Sequence, residues 1–448
     1  MLVKRPLGIA MQFPRWIADL DWRFVLLVLP PLSLLVFLSI SSANPFSNLA
    51  PLRVPLFPRG GGAPAAPAAA NGSVPAAAAA AAANGSVPAA AAAPRTWKEE
   101  LDRSRMAVCL VGGARRFELT GPSIVERILK VYPNADLFLH SPFDKNAFKF
   151  LLLNSAPRIA TVRIFHPEPM AETEVELRVL TSSNSPNGIQ GLLQYFNLVE
   201  GCLTMIKSHQ ARHNFTYDWI VRTRVDGFWN APLDPDNFIP GHYVVPPGST
   251  YGGLNDRLGI GDLFTSTVAL SRLSLIPQLN QAGFHQLNSE TSFRAQLTTQ
   301  NVTHLAKRLP FCIVTDRQYG FPPSRFGVPV AAISSKGPLS GAKCRPCTPV
   351  CRGACVARVM PMLDKGWSWT RWENGTLDLC DAHGEWETGW EKLFDRVAGK
   401  ALAKQRKRVW SLKLKDCVSE FEKMKRRTVS WQAPDADKIC KVGLGYAR

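Results

Sequence analysis

The stretch Asp218–Asp226, reading Asp-Trp-Ile-Val-Arg-Thr-Arg-Val-Asp, constrains the fold of this chain more than any other. Trp219 to Val225 has the β-branched and aromatic composition of a strand. Strand side chains alternate between faces, so Arg222, Arg224 and Asp226 project from the same one. Burying three charges costs about several kcal/mol each unless they are paired, and one carboxylate does not neutralise two guanidinium groups. Two readings follow. A diphosphate, with a divalent cation (Mn2+ or Mg2+) on Asp226, balances the set, because guanidinium forks match phosphate and hard cations take carboxylate oxygens. Alternatively, an Arg-Asp pair lies at a sheet edge and the second arginine is in solvent.

At 448 residues the chain exceeds one ordinary domain, yet much of its first hundred residues lacks globular composition, so one large domain with an appendage is expected. The formal charge of +18 invites a nucleic-acid partner, but about half of the excess lies in the last sixty residues, away from the charged strand. Residues 1 to 23 carry Lys4, Arg5, Arg15 and Arg23 and precede the apolar run Phe24 to Ile40. That run is long enough for one short crossing of a thin membrane, and the preceding cations keep the N-terminus cytoplasmic. A cleaved signal peptide is the competing reading, since Ser41, Ser42 and Ala43 are small. Five sequons, at Asn71, Asn84, Asn214, Asn301 and Asn374, and ten cysteines between Cys109 and Cys440 all follow the run. They agree with an oxidising lumen and disfavour a nucleic-acid partner.

Five segments are therefore expected: a cytoplasmic tail over 1–23, an anchor over 24–41, a stem over 42–96, a globular domain over 97–335 and a Cys/Trp-rich region over 336–448. The stem is Ala- and Pro-rich, with Asn-Gly-Ser-Val-Pro occurring twice, and has almost nothing to bury. Within the globular domain, Met106 to Val111 reads as a strand, Gly112-Gly113 as a turn and Pro122 to Val131 as a helix. Strands follow at Ala135 to His140, Thr161 to Phe165 and His242 to Val245. Apolar residues at helical period between Gly188 and Ser208 predict a long helix before the charged strand. Alternating strands and helices give an α/β fold with a mostly parallel, Rossmann-type sheet flanked by helices. The charged triplet then lies at the carboxyl end of a central strand, where open α/β sheets bind ligands. Backbone amides at Gly112 and Gly113 suit a phosphate, although an ordinary tight turn explains them equally.

Downstream, Asp234-Pro-Asp236 has metal-ligand spacing but reads as a turn. Asn255, Asp256 and Arg257 lie in the glycine-flanked loop Tyr251 to Asp262, which is either a substrate-closing loop or an exposed one. Glu290 opens a helix over Ser289 to Leu297, where a carboxylate serves the helix dipole or acts as a base. Cys344, Cys347, Cys351 and Cys355 are closely spaced, but prolines interrupt any common face, which favours disulfides over zinc. Trp367, Trp369, Trp372, Trp386 and Trp390 either stack on sugar rings or pack a small module. A basic helical tail over Lys392 to Arg427 reads as a solvated face.

Ala107-Val-Cys-Leu-Val-Gly-Gly-Ala-Arg-Arg-Phe117, Asp136-Leu-Phe-Leu-His140, Gln194-Tyr195, Tyr217 to Asp226 and Asn255-Asp-Arg257 together resemble a family. It is that of GT-A-type glycosyltransferases of bacterial surface polysaccharides and plant type II membrane proteins. The resemblance covers roughly residues 105 to 320 and departs from the family pattern at Ala114 and Val225. It implies a GT-A-like fold and a Golgi membrane enzyme moving sugar from a nucleotide-sugar donor to a glycan, cell-wall polysaccharide or glycoprotein. In that reading Arg116, Arg222 and Arg224, with Gly112 and Gly113, hold the donor diphosphate, and Asp226 holds the metal. Asn255, Arg257 and Asp262 contribute from the loop. Asp256, Asp262 or Glu290 orients or deprotonates the acceptor, with Glu290 favoured. The alternative is a non-catalytic lumenal or cell-surface protein that binds carbohydrate on the same fold.

Overall fold

The computed structural model describes residues 96–446 apart from 184, 186, 321–327 and 361–375. The chain divides into two units, Met1–Ala89 and Ala90–Arg448, and all described residues belong to the second. The anchor, the stem, Asn71, Asn84, Asn374, Trp367, Trp369 and Trp372 lie outside the described residues. No described helix is long and apolar enough to cross a membrane.

The strands in chain order are β1 (Met106–Val111), β2 (Ala135–Pro142), β3 (Ile159–Phe165), β4 (Trp219–Arg224), β5 (Gly227–Trp229) and β6 (His242–Val245). There follow β7 (Leu258–Asp262), β8 (Thr303–Ala306), β9 (Phe311–Val314), β10 (Ala331–Ala332), β11 (Ala342–Arg345) and β12 (Thr428–Gln432). Eight of them form one sheet in the order β12-β3-β2-β1-β4-β7-β6-β8. From β12 to β4 every pairing is parallel, while β7 runs antiparallel to both neighbours. The result is a mixed α/β structure with a mostly parallel central sheet. The order 3-2-1-4 reverses between β1 and β4, which opens a crevice at their carboxyl ends.

Both faces are covered, which is why β1 reads as a continuous apolar run rather than an alternating one. Trp219 and Val221 face a core shared with Phe117, Ile128, Phe150, Phe421 and Met424. Ile220 faces the other core with Val199, Leu203, Ile206 and Phe293. Arg222, Arg224 and Asp226 share the parity of Ile220, so the shared face expected for them is the one covered by the Gly188–His213 helix. That helix keeps the predicted period and runs five residues further, ending at Asn214 in the left-handed region at φ 50°.

The helix expected over Pro122 to Val131 instead spans Phe117–Ile124, with a π-helical turn at Val125–Leu129. A proline marks a helix start when its missing N–H falls in the first turn. Here Pro122 lies inside the helix, and the irregular turn follows it.

The boundary expected at residue 335 runs through continuous structure. β11 pairs with β9 across it, and Cys312 is bonded to Cys344. The helical tail is likewise no solvated appendage. Cys417, Phe421, Met424, Ile439 and Cys440 are buried in the main core, and β12 joins the sheet edge beside β3. The Leu414–Arg427 helix was read as basic because its charges are numerous, but its apolar residues recur on one face and bury there. All ten cysteines are paired, as Cys109–Cys202, Cys312–Cys344, Cys347–Cys380, Cys351–Cys355 and Cys417–Cys440. The disulfide reading of the close quartet therefore holds.

Candidate functional site

The crevice is built by two chain segments leaving neighbouring strands. Val225 N–H donates to the Val111 carbonyl at 3.0 Å, which brings Val225-Asp226 beside Gly112-Gly113. Gly112 has φ +118°, a conformation that side chains resist, and a Cβ there would press on Val225 at 3.3 Å. Asp226 is also the corner at which the chain changes sheets. Its carbonyl accepts from Val314 N–H at 2.9 Å, and β5 immediately joins the smaller sheet β10-β11-β9-β5.

Within this corner Arg224 grips Asp226 with both arms of its guanidinium, Nε to Oδ1 at 2.8 Å and Nη2 to Oδ2 at 2.6 Å. The Arg224 side chain keeps 36% of its exposure, so it is the guanidinium that faces solvent. Burial opposes the charge on Asp226, but the Arg224 guanidinium outweighs it and holds the carboxyl below its ordinary range. Arg222 is only 1% exposed. Its Nη1 donates to Tyr195 Oη at 3.5 Å, Tyr195 donates on to the Asp256 carbonyl at 3.0 Å, and Arg222 Nε has no hydrogen-bond partner.

A second group forms on the helix Ser289–Thr299. Ser289 Oγ donates to Asp256 Oδ2 at 2.5 Å, and Arg272 Nη1 lies 3.9 Å from the same oxygen. Burial again opposes the Asp256 charge, and Arg272 and Arg222 overcome it. Arg272 donates through Nη2 to the Ser289 carbonyl at 2.7 Å and stacks over Phe196 and Phe293, with Nε and Nη1 lacking hydrogen-bond partners. Glu290 is pushed up to about 8 by burial and then by the charge of Asp256. The loop reaches it through Gly253, where a Cβ would lie 1.9 Å from the Glu290 carbonyl oxygen, so only glycine permits the approach.

The remaining expectations divide. Asn255 and Arg257 are buried parts of the loop frame rather than an exposed lid. Asn255 Oδ1 accepts from Arg257 N–H at 3.1 Å, and Arg257 Nη1 donates to Ser249 Oγ at 2.9 Å and to the Gly341 carbonyl at 2.6 Å. That last bond ties the loop to the second sheet, whose Lys343 is pushed down to about 7 by burial and then by Arg257, Arg317 and Arg224. Asp262 does not join them. It pairs with Trp219 at the opposite end of β4 and caps the Leu263–Leu270 helix, accepting from Thr265 N–H at 2.8 Å. Asp234 likewise caps a short turn, accepting from Asp236 N–H at 2.8 Å.

Arg116 is directed elsewhere too. It stacks over Trp386 at 4.2 Å and lies 3.4 Å from Asp316 and 3.9 Å from Glu118, and none of its described contacts is with Arg222, Arg224 or Asp226. With Asp316, Gln318, Glu385, Trp386 and Trp390 it lines a separate cavity of about 510 Å³. Sequence reasoning missed Arg272 and Lys343. Arg272 had a faint signal, a lone cation among Leu270, Leu273 and Leu275, whereas Lys343 beside Cys344 had none.

The residues do not fit the divalent cation that the family resemblance implies on Asp226. Both Asp226 oxygens already accept from Arg224, and a cation there would stand beside a guanidinium. Asp256 is engaged by Ser289 and Arg272, and no three His, Cys, Asp or Glu side chains converge among the described residues.

Residues 101–446 match the model of a family described as a domain of unknown function, DUF7796. The chain belongs to that family. No curated protein matches the DUF7796 chain. Among solved structures, the apo crystal structure of mouse xyloside xylosyltransferase 1 is similar over 46% of this chain and 85% of that one, at 12% identity and a TM-score of 0.29.

Proposed function

We propose that the DUF7796 domain transfers a glycosyl group from a nucleoside-diphosphate sugar to an acceptor hydroxyl. The observation that carries this reading is the charge at the strand switch point. Arg222, Arg224, Arg257 and Arg272 face two carboxylates held ionised, Asp226 and Asp256, while Glu290 keeps its proton below about 8. Two positive charges remain while Glu290 is protonated and one once it ionises, and a diphosphate is the natural complement. As the bond between the sugar C1 and the phosphate oxygen breaks, charge grows on the leaving diphosphate, so fixed cations favour the transition state over the ground state. The acceptor oxygen forms the new bond to C1, and its proton passes to Glu290 in the fraction of chains whose Glu290 is ionised, which grows as pH nears about 8. Glu290 suits that role because its raised pKa makes it a stronger base than an exposed glutamate. Asp226 acts as a positioning residue through Arg224, and Asp256 does so through Arg272.

Five disulfides support an oxidising lumen, and the apolar run Phe24 to Ile40 supports a single anchoring helix, in line with a Golgi type II protein.

The test is a titration of nucleotide sugars and nucleoside diphosphates into the full-length chain in detergent, beside an Arg222→Ala/Arg224→Ala control shown to be folded. Saturable binding lost by the control, together with sugar transfer, is the expected outcome. A folded wild-type chain that binds no nucleotide, with or without manganese, overturns the reading. Nucleotide-independent carbohydrate binding without turnover would instead favour a lectin-like role.

A further inference from the structure

We infer that this site takes a nucleoside diphosphate without a divalent cation, its charge being met directly by the arginines that surround the switch point. The inference rests on the nucleotide-sugar reading above and specifies how that site neutralises its ligand. Three observations lead to it. First, the carboxylate expected to hold a metal is fully engaged, with each Asp226 oxygen accepting one arm of Arg224 in a fork geometry that a dication would have to break. Second, the other carboxylate, Asp256, is directed away from that role by Ser289 and Arg272. A hard cation held by protein carboxylates needs several oxygens free to coordinate it, and among the described residues no group of three His, Cys, Asp or Glu side chains offers them.

Third, the site already carries the charge that a metal would bring. Arg222 and Arg272 are nearly fully buried at 1% and 2% exposure, and both keep guanidinium N–H groups without hydrogen-bond partners. Adding a dication among them would raise the repulsion in a region of low dielectric, whereas an anion relieves it. Arg224, the exposed member, makes first contact with the phosphate oxygens. Arg222 and Arg272 act from behind Tyr195 as fixed positive potential. Arg257 holds the loop and the second sheet against them.

UDP, GDP and ADP are titrated into the full-length chain by calorimetry, once in excess EDTA and once in millimolar MnCl2. For whichever nucleotide binds, the expected result is a Kd that agrees within threefold between the two conditions. A Kd more than threefold weaker in EDTA and restored by Mn2+ overturns this inference while leaving the nucleotide reading intact. Absence of binding in both conditions overturns the two together. The Asp226→Asn variant adds a second readout. An affinity loss in the variant that appears in MnCl2 but not in EDTA identifies Asp226 as a metal ligand and overturns the inference. A change of the same size in both conditions is what the inference requires, because Asp226 then acts only through its fork with Arg224. The wild-type titration does not depend on whether that variant folds.

Discussion

Glu290 and Lys343 give the site its expected response to pH. Burial and Asp256 raise the Glu290 carboxyl from its ordinary 4.5 to about 8. Between those values the unfolded chain releases a proton that the folded chain keeps, so stability falls as pH rises across that window. Glu290→Gln is expected to remove this slope, and melting temperatures measured from pH 4 to 9 will show it as a flatter profile. The same substitution should lower kcat by about 10²-fold or more while leaving diphosphate binding in place, because a general base acts on the acceptor rather than the donor. Wild-type activity should climb with pH and level off above about 8. For Lys343 the sign is opposite, since burial and the neighbouring arginines lower it to about 7. An arriving diphosphate offsets that repulsion and raises the Lys343 pKa. Binding at pH 8 is therefore expected to take up protons, which calorimetry in buffers of different ionisation enthalpy will detect.

Individual elements differ in how far the sequence announces them. β1, β4 and the Gly188–His213 helix were legible because composition, length and period agree in each. The charged triplet was legible because strand alternation alone puts Arg222, Arg224 and Asp226 on one face. Arg116 was not, since its direction depends on Trp386, which is remote in sequence and arrives through a disulfide-bonded region. Asp262 misled because a capping aspartate and a catalytic one look alike until the strand register is known. Two predictions belong at this scale. Cys109–Cys202 clamps β1 to the helix over a separation of 93 residues, so Cys109→Ala/Cys202→Ala should cost about 4 kcal/mol, or roughly 10 °C in Tm. Gly253→Ala should push the loop from the Glu290 carbonyl and weaken activity more than it lowers Tm, an outcome that paired assays and melts can separate.

Across the whole molecule, the C-terminal hundred residues are part of the scaffold that shapes the site rather than an attachment to it. Cys/Trp density and basic charge suggested a separate module, because local composition does not reveal which core a helix joins. In the fold, Phe394 packs with Phe228 next to the Asp226 corner, and Phe421 and Met424 close the opposite face of the central sheet. A chain ending before Leu414 is therefore expected to be insoluble or protease-sensitive rather than merely less active, as limited proteolysis will show. The position of β12 carries a further consequence. β3 receives its outer neighbour from residues 428–432, far along the chain from Ile159–Phe165, so no growing chain can complete the sheet until that distant segment has been made. Until then the nascent polypeptide presents an unpaired β3 edge. Closure of that edge thus waits on the same stretch of chain that carries the Cys417–Cys440 bond, whose two cysteines bracket β12.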